Sequence, residues 1–233
     1  MRFWGETLDP AAPFAGSALV THIHWDHVQG LPFFTPVLQP GARFDVYGPP
    51  QAEHGSLGDA FGELMRPPFF PVTTAELLGD IRFHEAWEED LELDGAKVKA
   101  RSVPHVGATN GYRVEMGGAS VAYLSDHQMP LDGSGAITDA VLELCDGVDL
   151  LIHDAQYTVD EFPAKATWGH CTVDYAVHVA KESGARRLAL FHHDPTHHDG
   201  AVDAILAHAR RLATGSSIEE VLAASEGLVI SYS

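Results

Sequence analysis

Three histidines and an aspartate fall within six residues in the segment His22-Ile23-His24-Trp25-Asp26-His27. No other feature constrains the chain as strongly, because crowding four titratable groups brings no packing benefit. Histidine is the commonest metal ligand among side chains, and the chain carries 15 of them in 233 residues. Within a loop, residues two apart can face the same side, so His22 and His24 can chelate one cation. Asp26 and His27, on the next turn of chain, can face a second. Borderline cations such as zinc favour imidazole with carboxylate support, and catalytic sites keep a coordination position open for water. The apolar run Ala18-Leu19-Val20 leads directly into the segment, which places the ligands at the end of a strand.

The same placement recurs downstream. His105 follows a strand expected over 97–103, Asp126 follows one over 120–124, and His192 follows one over 187–191. Each apolar run delivers a ligand-type side chain at its terminus, where loops can converge on one pocket. Further strands are expected at 43–48, 81–86, 91–93 and 112–116, with Gly117-Gly118 as a two-residue hairpin turn. Beyond Asp126 the pattern alternates between strand and helix. It places helices at 136–144, at 173–183 behind the N-cap Thr172, and along Val202, Ile205, Leu206, Ala209 and Leu212. A helix over 51–65, a strand over 148–152, a last helix over 218–225 and a last strand over 228–231 complete the reading. The outcome is a layered α/β (α+β) chain with sheets at the centre and helices outside.

Charge narrows the partners. The 33 acidic and 14 basic residues leave a formal charge of −19, which argues against a long nucleic-acid footprint and against an anionic lipid surface. No apolar run is long enough to span a membrane. Two cysteines, Cys145 and Cys171, cannot build a disulfide framework, so a cytoplasmic location is expected. Cys171 reads as a small buried side chain rather than a nucleophile. His127 could face a substrate phosphate. His193, His197 and His198, with Asp194 and Asp199, form either a substrate-facing loop or a solvated polar turn. Phe33, Phe34, Phe69 and Phe70 read as core packing or a pocket lining. His54, His84, His178 and His208 read as surface positions.

The sequence resembles the metallo-β-lactamase-fold hydrolases, in particular the ribonuclease Z and phosphodiesterase branch. The H-x-H-x-D-H run is that superfamily's signature. His105 ahead of Gly111-Tyr112-Arg113 is similar to its third motif, and Asp126, here in Ser-Asp-His, to its bridging aspartate. Leu151-Ile152-His153-Asp154-Ala155 resembles an "LxHEA" segment with Asp for Glu, and Gly169-His170-Cys171-Thr172 a G-H-S-T motif with Cys for Ser. His192 stands where the fifth-motif histidine is expected. The resemblance implies an αββα sandwich over 1–233 as a single domain. It also implies two divalent metal ions, zinc first with manganese or iron as alternatives. His22, His24 and His105 would take one, Asp26, His27 and His192 the other, and Asp126 would bridge them. Such a pair generates a nucleophile from water at neutral pH.

Asp26 could also orient that water. His170 is the candidate general acid, with Asp154 as its partner. The expected reaction is hydrolysis of a small phosphodiester, cyclic-nucleotide-like. The alternatives are a carbonyl substrate (lactam, lactone or thioester), sulfur oxidation at a single iron, or a degenerate metal-binding protein. Only 16 residues precede Ser17, whereas the fold ordinarily places several strands before the metal motif. A truncated N-terminal sheet is therefore expected, from a misplaced start codon or with its edge covered by other means, for instance in a homodimer.

Overall fold

The computed structural model describes residues 1–232, which form two compact units, Met1–Trp87 and the chain from Glu88 onward. The first unit runs through α1 (Arg2–Gly5), β1 (Ala15–Leu19), α2 (Trp25–Val28), β2 (Arg43–Gly48), α3 (Leu57–Leu64) and β3 (Asp80–Glu85). Its three strands lie in chain order and all parallel, Leu19 opposite Tyr47 and Tyr47 opposite His84. The core gathers Val28, Phe34, Phe44, Val46 and Phe61. Phe14 meets Phe34 edge-on at 5.1 Å, and Trp4 stacks on Phe34 at 5.5 Å, geometries that suit the ring quadrupole. Phe34 is thus a core residue, while Phe33 and Phe69 are exposed. The helix expected over 51–65 begins only at Leu57, where Ser56 and Asp59 form a capping box. Gly55, at φ +82°, keeps the preceding turn out of the helix.

The second unit contains β4 (Glu89–Leu93), β5 (Ala96–Ser102), β6 (Asn110–Met116), β7 (Ala119–Leu124), α4 (Asp139–Cys145), β8 (Leu150–Asp154), α5 (Phe162–Lys165), α6 (Val173–Glu182), β9 (Arg187–Phe191), α7 (Asp199–Ala213) and β10 (Glu220–Ala223). They build a seven-stranded sheet of order β10-β9-β8-β7-β6-β5-β4. Strands β4 to β7 form an antiparallel meander. Two of its turns, Asp94-Gly95 (φ +52° and +84°) and Gly117-Gly118 (φ +60° and +86°), have positive φ at both central residues. That is the twist a two-residue hairpin requires. Strands β7 to β10 are parallel, with α4, α6 and α7 in their crossovers. Val141, Leu144, Leu151, Val177, Leu188 and Leu190 are wholly or almost wholly buried in one cluster under these helices.

The topology has a direct consequence for function. Because β5 is antiparallel to β6 and β6 to β7, β5 runs the same way as β7, β8 and β9. The C-terminal ends of these four strands share one sheet edge, the edge where open α/β sheets bind ligands.

The sequence expectation fails at the C-terminus. Residues 220–223 are a strand, not part of a helix, and 228–231 form no strand. Val221 and Leu222 pair with Leu188 and Ala189 on the open side of β9. Ladder hydrogen bonds and burial of Val221 outweigh the modest helix preference of Glu, Leu and Ala, and a short apolar run cannot by itself distinguish the two states.

Candidate metal-ligand clusters

In the first unit, β1 releases the chain into Val20-Thr21-His22, and His24 takes the N-cap position of α2. This single turn brings the four side chains together. His22 is buried, with Nδ1 3.1 Å from the Thr21 hydroxyl and Nε2 2.9 Å from His24 Nδ1. The His27 ring lies 4.2 Å from that of His22, and Asp26 Oδ2 is 3.3 Å from His27 Nε2. Asp26 and His24 are the exposed members of the group, and Asp26 is its one carboxylate.

In the second unit the ligand types arrive singly. His105 follows β5, Asp126 follows β7, Asp154 ends β8 and His192 follows β9. Asp126 Oδ2 is 3.6 Å from His105 Nε2, 3.7 Å from His192 Nε2 and 3.8 Å from His170 Nδ1. Donor atoms of Asp126, His170 and His192 all lie within 4.8 Å of one another. These spacings exceed a hydrogen bond. They are close to the roughly 3.3 Å separating two donors that each sit ~2.0–2.1 Å from one tetrahedral zinc. Imidazole nitrogens and a buried carboxylate are a donor set that fits zinc, manganese or iron.

Each of these side chains is braced from behind. His105 Nδ1 is 2.7 Å from the Gly169 carbonyl, so it carries the proton and Nε2 is left as the ligand nitrogen. Gly169 has φ +96°, and a Cβ there would stand 2.4 Å from His105 Nδ1; only glycine permits this approach. Gln128 accepts from the Gly169 N–H at 2.9 Å and donates to the His170 carbonyl at 3.2 Å. The Gln156 side-chain amide meets His192 Nδ1 at 3.0 Å. His192 itself has φ +56°, a left-handed backbone uncommon outside glycine and concentrated at functional sites.

Asp154, wholly buried, ties these loops together. Oδ2 accepts from the His127 N–H at 3.0 Å and lies 2.9 Å from His170 Nδ1, while Oδ1 accepts from the Gln156 N–H at 3.0 Å. The His170 ring stacks on His192 at 4.9 Å. The expected Asp154–His170 partnership is therefore a direct contact, and Asp154 also reaches the loop bearing Asp126 directly and the one bearing His192 through Gln156.

Among the other histidines, His127 departs from expectation. His127 faces no solvent: it is fully buried with Nδ1 2.9 Å from His153 Nε2. Burial, reinforced by His153, holds its pKa well below the usual histidine range, so the ring stays neutral and cannot offer charge to a phosphate. The loop after His192 is bonded to α5 and its N-cap residue. Asp194 pairs with Lys165 at 2.6 Å, His197 with Glu161 at 2.8 Å, and His198 caps α7. Burial raises the Asp194 pKa, but hydrogen bonds from Lys165 and Thr196 outweigh it and hold the carboxyl at about 2. His84 and His208 each meet an aspartate, Asp45 and Asp174. Cys171 is fully buried, and burial pushes its thiol well above the usual cysteine range; as expected, it is no nucleophile. Gln128 and Gln156 were not singled out from sequence, because their partners lie 41 and 36 residues away on other loops.

Comparison with known proteins gives a consistent picture. The sequence profile described as Beta-lactamase superfamily domain matches residues 9–193. A ribonuclease Z from Streptococcus pyogenes serotype M5 (strain Manfredo) is 27% identical over 74% of this chain and 69% of its own length. A ribonuclease Z from Brevibacillus brevis is 33% identical, but over 36% of this chain and 28% of its own. Among solved structures, a diphosphatase from the PhnP family superposes with a TM-score of 0.65 at 22% identity, covering 96% of this chain and 74% of that one.

Proposed function

Because this chain belongs to the beta-lactamase superfamily, we propose that it is a metal-dependent hydrolase of small phosphodiesters. In this reading His22, His24 and His105 would hold one divalent cation and Asp26, His27 and His192 a second, with Asp126 shared between them. When bound, the cations supply charge neutralisation at phosphoryl oxygens and a water that ionises near neutral pH. Asp26, the exposed carboxylate of the first cluster, orients the attacking water.

The observation that carries the reading is the contact of His170 Nδ1 with buried Asp154 at 2.9 Å, beside Asp126 and His192. A buried carboxylate on Nδ1 fixes the orientation of the ring, so that Nε2 can serve as the proton-donating nitrogen. Cleaving a phosphodiester expels an alkoxide, and protonating it removes the least stable product of the step. His170 gives that proton to the departing oxygen, and Asp154 steadies the ring before and after. The net charge of −19 repels a long polyanion and disfavours an extended RNA substrate. The ribonuclease Z relatives support phosphorus chemistry at large; the acidity of this chain argues for a smaller ester.

The test is metal analysis of the purified protein followed by turnover of bis(p-nitrophenyl) phosphate. Two divalent ions per chain and a turnover abolished by chelation are expected. Hydrolysis of a lactam or thioester without diester cleavage would overturn the phosphodiester reading. Stoichiometric metal with no turnover of any ester would remove the hydrolase reading altogether.

A further inference from the structure

The loop that carries Gly169 and His170 begins with an indole turned to solvent. Trp168 is 61% exposed, although burying such a ring is strongly favourable. Its backbone is pinned by donation to the Lys165 carbonyl at 3.0 Å. The Lys165 ammonium lies 5.9 Å from the Trp168 ring and 4.8 Å from the Tyr157 ring. Asp194 holds that ammonium at 2.6 Å, so its charge is already met and its place is fixed. The Tyr157 ring in turn meets His170 edge-on at 5.8 Å. Imidazole, phenol, ammonium and indole therefore form one connected series, leading from the candidate proton donor outward to an exposed aromatic face.

We propose that Trp168 is the specificity-determining residue of this site, a platform on which the nucleobase of a nucleoside phosphodiester stacks. The proposal rests on the phosphodiester reading and deepens it by naming the substrate class. Two features set the role. The indole adjoins the Gly169-His170 turn in sequence, so its position is coupled to the group that protonates the leaving oxygen. Its free face is large, planar and apolar, and base–aromatic stacking is tolerant of base identity because every base offers a π-face. Lys165 acts as a positioning residue: with its charge paired to Asp194, it orders the aromatic pair rather than binding phosphate.

The test compares 2′,3′-cyclic AMP with glycerol 1,2-cyclic phosphate, a strained diester without a base, on metal-loaded protein. Replacing Trp168→Ala is expected to lower the kcat/KM preference for the nucleotide by about 10-fold, within the range of one stacked base, through KM rather than kcat. Trp168→Phe is expected to retain most of the preference. Equal losses on both substrates, or no change on either, would overturn the platform. A second readout does not depend on turnover: calorimetric binding of AMP against inorganic phosphate. AMP binding that weakens about 10-fold in Trp168→Ala while phosphate binding holds supports the platform even if no diester is cleaved. AMP binding unaffected by Trp168→Ala overturns it even if diesters are cleaved.

Discussion

The two ligand clusters are built in opposite ways. In the first unit, four ligand-type residues share one turn, and their ring nitrogens reach one another directly. In the second, His105, Asp126 and His192 arrive on separate strands, and none is held by its sequence neighbours alone. The first cluster is assembled by local chain stereochemistry. The second exists only once the seven-stranded sheet has formed, and His105, His192 and the neighbouring His170 are each backed by a partner: the Gly169 carbonyl, Gln156 and Asp154 in turn. A ligand set gathered across a fold is defined as much by its supports as by its donors.

This contrast predicts unequal sensitivities. Asp126→Ala should have the largest effect, lowering turnover of bis(p-nitrophenyl) phosphate by about 10³-fold or more, beyond the ~10–100-fold typical of outer supports. His24→Ala, in a turn that retains His22, Asp26 and His27, should lose less; equal losses in steady-state kinetics would break the comparison. His170→Ala should lower kcat by ~10²–10⁴-fold, the usual worth of a positioned proton donor, with metal content by elemental analysis unchanged. Metal loss in that variant would instead make His170 a ligand, as its proximity to Asp126 and His192 permits. Gly169→Ala, which forces a side chain against His105, should weaken metal binding by roughly 10–100-fold in a chelator competition.

The smallest expected effect lies far from the ligands. Arg101 and Lys99 on β5 bind Glu143 on α4 and hold its carboxyl at about 2, below its ordinary 4.5. A depressed carboxylate contributes stability that is fully present above about pH 4.5 and is lost as the pH falls toward 2. Because Glu143 is 41% exposed, solvent screening limits the contribution to about 1 kcal/mol or less. Urea titrations at pH 6 and pH 3 should show Glu143→Gln narrowing the stability gap between them by that amount. An unchanged gap would show that the ion pair carries no linkage.

Much of this was legible in sequence for an identifiable reason. The first cluster lies within one turn, so its spacing alone reveals it. The strand-end ligands were legible because alternation marks β5 and apolar residues mark β7 and β9, and each ligand follows its strand within three residues. Legibility ended where partnership is decided by tertiary contact. Residues 220–223 became strand because β9 offered an open edge. His127 turned inward because His153 on β8 stands opposite it. Gln128 and Gln156 carry no local signature, since a glutamine in a loop becomes a support only when another loop arrives beside it.

The adjacency of Trp168 and Gly169 has a consequence for how such a protein can change over time. Position 169 admits no side chain at all, whereas its neighbour is mostly exposed to solvent and is touched by little beyond the Lys165 ammonium. Variation is thus channelled: selection for a new substrate can act on one residue while the next stays invariant and keeps the chemistry intact. A loop divided in this way lets substrate preference drift without putting the reaction at risk.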